Sequence, residues 1–372
     1  MNHTTPRPMK MALSTLCLSL AVAVPAQAKE QISILNWSDY MSPGTIEKFE
    51  QETGIDVIYD VFDSNEVLEA KLLAGRSGYD LVFPSSNFMG RQIQAGVFLP
   101  LDKTKLPNYK HLDEAMMKVL TDVDPGNSYG IPYMWGTTGL GYNIDKVKAV
   151  LGDDAPVDSW DLVFKPENIE KLATCGVAIL DAPSEMIPIA LHYVGKDPNS
   201  FEKDDYKRDA PAGKLLRSIR PHINYFHSSQ YINDLANGDI CVAVGWSGDV
   251  IQAATRASET DNGVNVTYSI PKEGAPVWFD MIAIPADTQN SDNAHKFLDY
   301  LMRPEVIAEV SNYVAYANAN KASIEFIDEA IANDETIFPS DEVKANLFSF
   351  KVMTQKIDRV VSRLWTDVKS GR

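Results

Sequence analysis

After its first 28 residues the chain has no apolar run approaching the ~20 residues that cross a bilayer as a helix, so a membrane-spanning helix is not expected there. Positive charge is short: 34 Lys and Arg stand against 51 Asp and Glu, a net charge of -17 that argues against a nucleic-acid partner. Cysteine is nearly absent, with three in 372 residues. No His-containing triad spacing, metal-ligand cluster, phosphate loop, internal repeat or low-complexity tract is found, which weakens the case for hydrolase, metal and nucleotide chemistry.

The exception to the missing apolar runs is at the start. Arg7 and Lys10 precede an apolar stretch from Met11 to Val24, and Ala26-Gln27-Ala28 has the small-x-small pattern of a cleavage site. Residues 1–28 therefore read as a secretory signal. Leu16 before Cys17 is too large for lipoprotein processing. Removing 28 residues leaves 372 less 28, or 344, enough for two domains; losing Arg7 and Lys10 takes the net charge from -17 to -19. Cys175 and Cys241 survive, and in an oxidising compartment an isolated pair reads as one disulfide rather than a catalytic thiol.

What the chain does have is organised around Asn36-Trp37-Ser38-Asp39-Tyr40. Ile32 and Ile34 alternate as in a strand, Ser42-Pro43 reads as N-cap and first helical residue, and Gly54 as a helix stop; Ile55 to Phe62 reads as a second strand. The Trp-Ser-Asp-Tyr loop thus lies at the carboxyl end of the first strand of a βαβ unit, where open α/β sheets bind ligands. Further along, a helix is expected from Asn65 to Leu73, a buried strand over Tyr79–Pro84 with Ser85 in the loop after it, and a strand over Val177–Leu180 that delivers Ser184-Glu185. Ile240 to Val244 opens into Trp246-Ser247-Gly248-Asp249, and Val264–Pro271 and Val277–Ile284 read as strands, the latter carrying Trp278-Phe279-Asp280. A helix is expected over Ser291–Leu301. The Gly-rich, aromatic stretch from Tyr129 to Asn143 reads as extended chain crossing between two lobes.

Four separated loops therefore each join an acid to an aromatic, a hydroxyl or both. Converging on one cleft, they would make aromatic walls with carboxylates at several points, which suits a flexible organic dication better than a metal ion. Plainer readings stand beside this one: Trp37 and Trp246 as core, Tyr316 as a backbone hydrogen-bond donor, a carboxylate-pair hydrolase, or a ferric site built on Tyr313 and Tyr316.

As an ordered set, Asn36-Trp37-Ser38-Asp39-Tyr40, Tyr129-Gly130-Ile131-Pro132-Tyr133 with Gly136-Thr137-Thr138-Gly139, Ser159-Trp160-Asp161, Gly245-Trp246-Ser247-Gly248-Asp249 and Tyr313-Val314-Ala315-Tyr316-Ala317-Asn318 resemble the periplasmic polyamine-binding proteins of ABC importers, most closely the putrescine receptors. The resemblance implies a two-lobed α/β fold of the type II periplasmic binding kind, each lobe a mixed sheet flanked by helices, with 29–138 plus 259–327 as one lobe and 139–258 plus 328–372 as the other. It implies Asp39, Glu185, Asp249 and Asp280 as ammonium-binding acids, Ser38 and Ser85 as hydroxyl contacts, and Trp37, Tyr40, Trp246, Trp278 and Tyr316 as walls. No cofactor or metal is expected, and the partners implied are a polyamine and an inner-membrane permease, with the protein itself monomeric. One position departs: putrescine receptors often carry Phe where this chain has Trp278, and the larger ring alters the room for a third amine, so putrescine is favoured only modestly over spermidine.

Overall fold

The computed structural model describes residue 1, residues 30–260 and residues 263–371. Apart from Met1, the expected signal lies outside the described residues. Among those residues no helix is long and apolar enough to cross a membrane.

The opening βαβ unit forms as its residues demand. Strand β1 (Gln31–Trp37) buries Ile32 and Ile34 and pairs in parallel with β2 (Asp56–Phe62), Ile32 opposite Val57. Between them runs the helix Pro43–Thr53, with Pro43 in its first turn and Gly54 stopping it at φ 72°, where the Gly54 N–H donates to the Glu50 carbonyl. Ser42 stands at the N-cap but makes no side-chain cap bond; its hydroxyl turns to Glu309 at 3.4 Å instead. The strand expected over Tyr79–Pro84 shortens to β3 (Leu81–Val82); just before it Asp80 donates its N–H to the Ser33 carbonyl at 2.7 Å and accepts the Ser33 N–H on its side chain at 2.8 Å.

The element shared by both halves is β4 (Gly130–Asn143), fourteen residues of the stretch read as a crossing. Its first part, to Thr137, pairs antiparallel with β9 (Pro276–Ala283), and its last part, from Thr138, pairs with β7 (Val242–Trp246) and β8 (Val266–Ser269). Beyond β7 lie β5 (Val177–Ile179) and β6 (Tyr225–Phe226), giving the order β2-β1-β3-β9-β4-β7-β5-β6, with β10 (Ala317–Asn318) on β4 and β11 (Phe348–Ser349) on β9.

Two large apolar cores flank this sheet. One draws on residues from Ile32 to Met134 and from Trp278 to Ala319; the other on residues from Leu140 to Ala275 and from Ile357 to Val368. The fold is thus mixed α/β on both sides. Val266 and Tyr268 pack into the second core, whereas the stretch 259–327 was expected with the first; the chain returns between β8 and β9, since β8 has its ladder on the far end of β4. Cys175 and Cys241 are joined, their Cα atoms 5.5 Å apart, tying the turns before β5 and β7 across 66 residues of chain. Closing a loop of that length stabilises by ~4 kcal/mol in the chain-entropy picture.

Candidate functional site

Where the two cores meet, the carboxyl ends of β1 and β7 and the middle of β9 surround one cavity, and the helix Pro183–Tyr193 enters it through its first turn. Four acids line it: Asp63, just after β2, is half-buried, while three buried carboxylates come from separate elements, Asp280 on β9, Asp249 in the first turn of the helix Ser247–Thr260, and Glu185 in the first turn of Pro183–Tyr193. Each of these three is gripped by hydroxyls. Asp280 accepts from Ser85 at 2.6 Å and from Tyr40 at 2.9 Å. Asp249 accepts from Tyr231 at 2.7 Å and Tyr316 at 3.0 Å, and Glu185 from Thr138 at 2.8 Å.

These grips fix the acids without neutralising them. Burial pushes the Glu185 carboxyl up to about 8, outweighing the Thr138 hydroxyl and the Trp246 side chain that favour its charged form. Burial likewise raises Asp249 and Asp280 to about 7 each, against their hydroxyl donors, and the charge of Asp249 adds to the rise at Asp280. The result is a pocket of carboxylates that holds protons near neutrality unless a cation enters it.

Rings close the pocket on two sides. Trp37 stacks at a tilt on Phe62, 4.5 Å between centroids, and meets Trp246 edge-on at 5.4 Å. In a second group Tyr316 lies 5.3 Å from both Trp278 and Tyr40. The Tyr316 ring lies directly on the backbone of Gly248, where an added Cβ would sit 2.4 Å from its Cε2. Gly248→Ala should therefore displace Tyr316 and remove one of the two hydroxyls holding Asp249. The expected outcome is a tenfold or greater loss of ligand affinity with the fold retained, read by calorimetric titration beside a circular dichroism melt.

Of the eleven residues singled out from the sequence, Trp37, Ser38, Tyr40, Ser85, Glu185, Trp246, Asp249, Trp278, Asp280 and Tyr316 line this cavity. Asp39 does not. It is held at φ 54°, and that left-handed turn swings its carboxylate out of the cavity to an ion pair with Arg256 at 2.8 Å, its side chain 41% exposed. Since Asp39 follows β1 and Arg256 lies on Ser247–Thr260, the pair bridges the two halves from outside the cavity lining. Ser85 lines the cavity with its hydroxyl already engaged, donating to Asp280 at 2.6 Å and accepting from the Asn65 amide at 2.8 Å, which leaves one acceptor lone pair. The second tyrosine of the ferric reading, Tyr313, is exposed and outside the cavity, while Tyr316 is buried within it.

Several residues that shape the site were not anticipated. Tyr231, Asn65, Phe62 and Ser228 lie on helices, a strand and a loop whose sequence carries no mark of a site; Thr138 was part of a recognised motif but had no assigned role.

Comparison with known proteins follows the same lines. Residues 44–339 match the family described as bacterial extracellular solute-binding protein. The chain is 59% identical over 355 residues to the putrescine-binding periplasmic protein PotF of Escherichia coli (strain K12), covering 95% of each chain. It is 55% identical over 362 residues to the putrescine-binding periplasmic protein SpuD of Pseudomonas aeruginosa (strain UCBPP-PA14), covering 97% of this chain and 98% of that one. Among solved structures it superposes on the spermidine/putrescine ABC transporter substrate-binding protein PotD of Streptococcus pneumoniae with a TM-score of 0.72 at 26% identity, covering 92% of this chain and 99% of the other.

Proposed function

The chain belongs to the bacterial extracellular solute-binding proteins, and from that premise we propose that it captures putrescine in the cavity between its two cores and delivers it to an ABC permease in the inner membrane. It acts in the periplasm as a carrier rather than an enzyme. The observation that supports the ligand best is the set of three buried carboxylates, each from a different element, facing one aromatic-walled cavity. A metal ion gains nothing from such walls; an alkyl diamine uses both acids and rings.

In this reading Asp280, Asp249 and Glu185 receive the ammonium groups, Tyr40, Tyr316, Ser85 and Thr138 hold those acids in place, and Trp37, Trp246 and Trp278 cover the methylenes. Burying four methylenes contributes about 3 kcal/mol at ~0.8 each. An ammonium on an aromatic face adds ~2 kcal/mol, and each charge-assisted hydrogen bond ~1.5–3 kcal/mol. After the cost of association these leave roughly -8 kcal/mol, which is micromolar affinity. Spermidine is the second reading, favoured by Trp278, whose larger ring reshapes the room beside Asp280.

Because acids and rings come from both halves, ligand stabilises the closed arrangement, and the Asp39–Arg256 pair adds a further tie between them. The permease then reads the closed form of a monomer. Small-angle scattering is the test: the radius of gyration should fall on adding saturating putrescine, and equal compactness with and without it would count against closure.

A further inference from the structure

We propose that the same cavity takes diamines carrying a hydroxyl on their carbon chain, recognised by the indole N–H of Trp278; this rests on the diamine reading above. The buried indoles elsewhere spend their N–H groups on protein acceptors: Trp37 on the Phe83 carbonyl and Trp160 on the Gly274 carbonyl, both at 2.8 Å, and Trp365 on the Asp181 carboxylate at 2.7 Å. Trp278 is 6% exposed, lines the cavity, and has no hydrogen-bond partner for its Nε1 among the described residues. A buried donor left without an acceptor is destabilising, and such groups are rare enough to need a cause.

The ring is packed in place. Its Cζ2 edge lies against the bare backbone of Gly136, 2.9 Å from where a Cβ would stand, and Tyr316 meets it in a T-shaped contact at 5.3 Å between centroids. Putrescine cannot supply what is missing, because a diammonium chain has donors at both ends and nothing polar between. The Ser228 hydroxyl, also buried in this cavity without a partner, differs in kind: an oxygen accepts, so an ammonium satisfies it. An indole N–H only donates.

A hydroxyl on the carbon chain is the acceptor that fits. It leaves both positive charges for Asp280, Asp249 and Glu185, whereas an acylated amine gives up one and a carboxylate would bring an anion among four acids. Trp278 and Asp280 stand two residues apart on β9, so their side chains leave the same face of the strand roughly 7 Å apart. That spacing puts the hydroxyl on a carbon near the ammonium held by Asp280.

Calorimetric titration of the full chain with putrescine and with 1,4-diamino-2-butanol, in the natural protein and in Trp278→Phe, decides the matter. The natural protein should bind the hydroxylated diamine at least as tightly as putrescine, and Trp278→Phe should shift the preference toward putrescine by about tenfold. The same ratio of affinities in both proteins would mean that the ligand hydroxyl does not meet the N–H and would overturn the proposal. Should Trp278→Phe fail to fold, the natural protein alone decides: weaker binding of the hydroxylated compound overturns the proposal, equal or tighter binding supports it. Putrescine binding without the hydroxylated diamine removes this inference only; no heat from either amine removes the diamine reading with it.

Discussion

Asp280→Asn is expected to weaken putrescine binding by tenfold to about 150-fold, the equivalent of losing one charge-assisted interaction of ~1.5–3 kcal/mol. The substitution keeps the shape of the side chain and removes its charge. It also disturbs the two donors already in place, because Ser85 and Tyr40 both direct hydroxyls at the carboxylate and an amide nitrogen can accept from neither. The ligand-free protein, in contrast, should be no less stable, since a buried acid held mainly by neutral hydroxyls is costly to ionise. Titration calorimetry and a thermal melt on the same sample separate the two effects; an unchanged affinity would take Asp280 out of the site.

The second large effect is that of pH. Burial raises Glu185 to about 8 and Asp249 and Asp280 to about 7 in the ligand-free protein, so below these values the acids carry protons that a diammonium ligand must expel. Affinity should be highest above pH 8 and fall on acidification through 8 to 6, by up to tenfold per pH unit for each acid that must ionise. The stability of the ligand-free fold runs the opposite way. These folded-state values lie above the unfolded ones, so the stability they contribute is complete at low pH and is lost as pH rises through 7 and 8. Ligand-induced stabilisation should therefore be clearly larger at pH 8 than at pH 6. Proton release on binding, measured by repeating the calorimetry in buffers of different ionisation enthalpy, checks the mechanism; a flat affinity across this range would contradict it.

The loops that carry the site were legible because strand and helix signals bracket them on both sides. Ile32 and Ile34 before Trp37, with Pro43 and Gly54 after Tyr40, placed the first loop at a sheet edge; Trp278-Phe279-Asp280, counted among the loops, instead lies within β9, where the strand's alternation puts Trp278 and Asp280 on one face. The orientation of a side chain within such a loop was not legible. Asp39 and Asp280 have the same chemistry, but the left-handed backbone at Asp39 turns it out to Arg256, a partner 217 residues away. The hydroxyls that hold the acids were hidden for a related reason. Tyr231 bonds Asp249 across a helix pair, and Asn65 positions Ser85 across two segments 20 residues apart; tertiary packing alone brings them together.

Sheet order was open as well. The extended character of 129–143 announced a crossing, but nothing in Val264–Pro271 told which half of β4 it would join. Period-two alternation fixes which face of a strand is buried, not which neighbour covers it.

Native mass spectrometry of the protein as purified from cells tests most directly whether buried acids between two cores hold a small dication. One population should carry the added mass of a single putrescine, and that adduct should be lost from Asp280→Asn. A bare protein mass that stays bare after putrescine is added back would contradict the account.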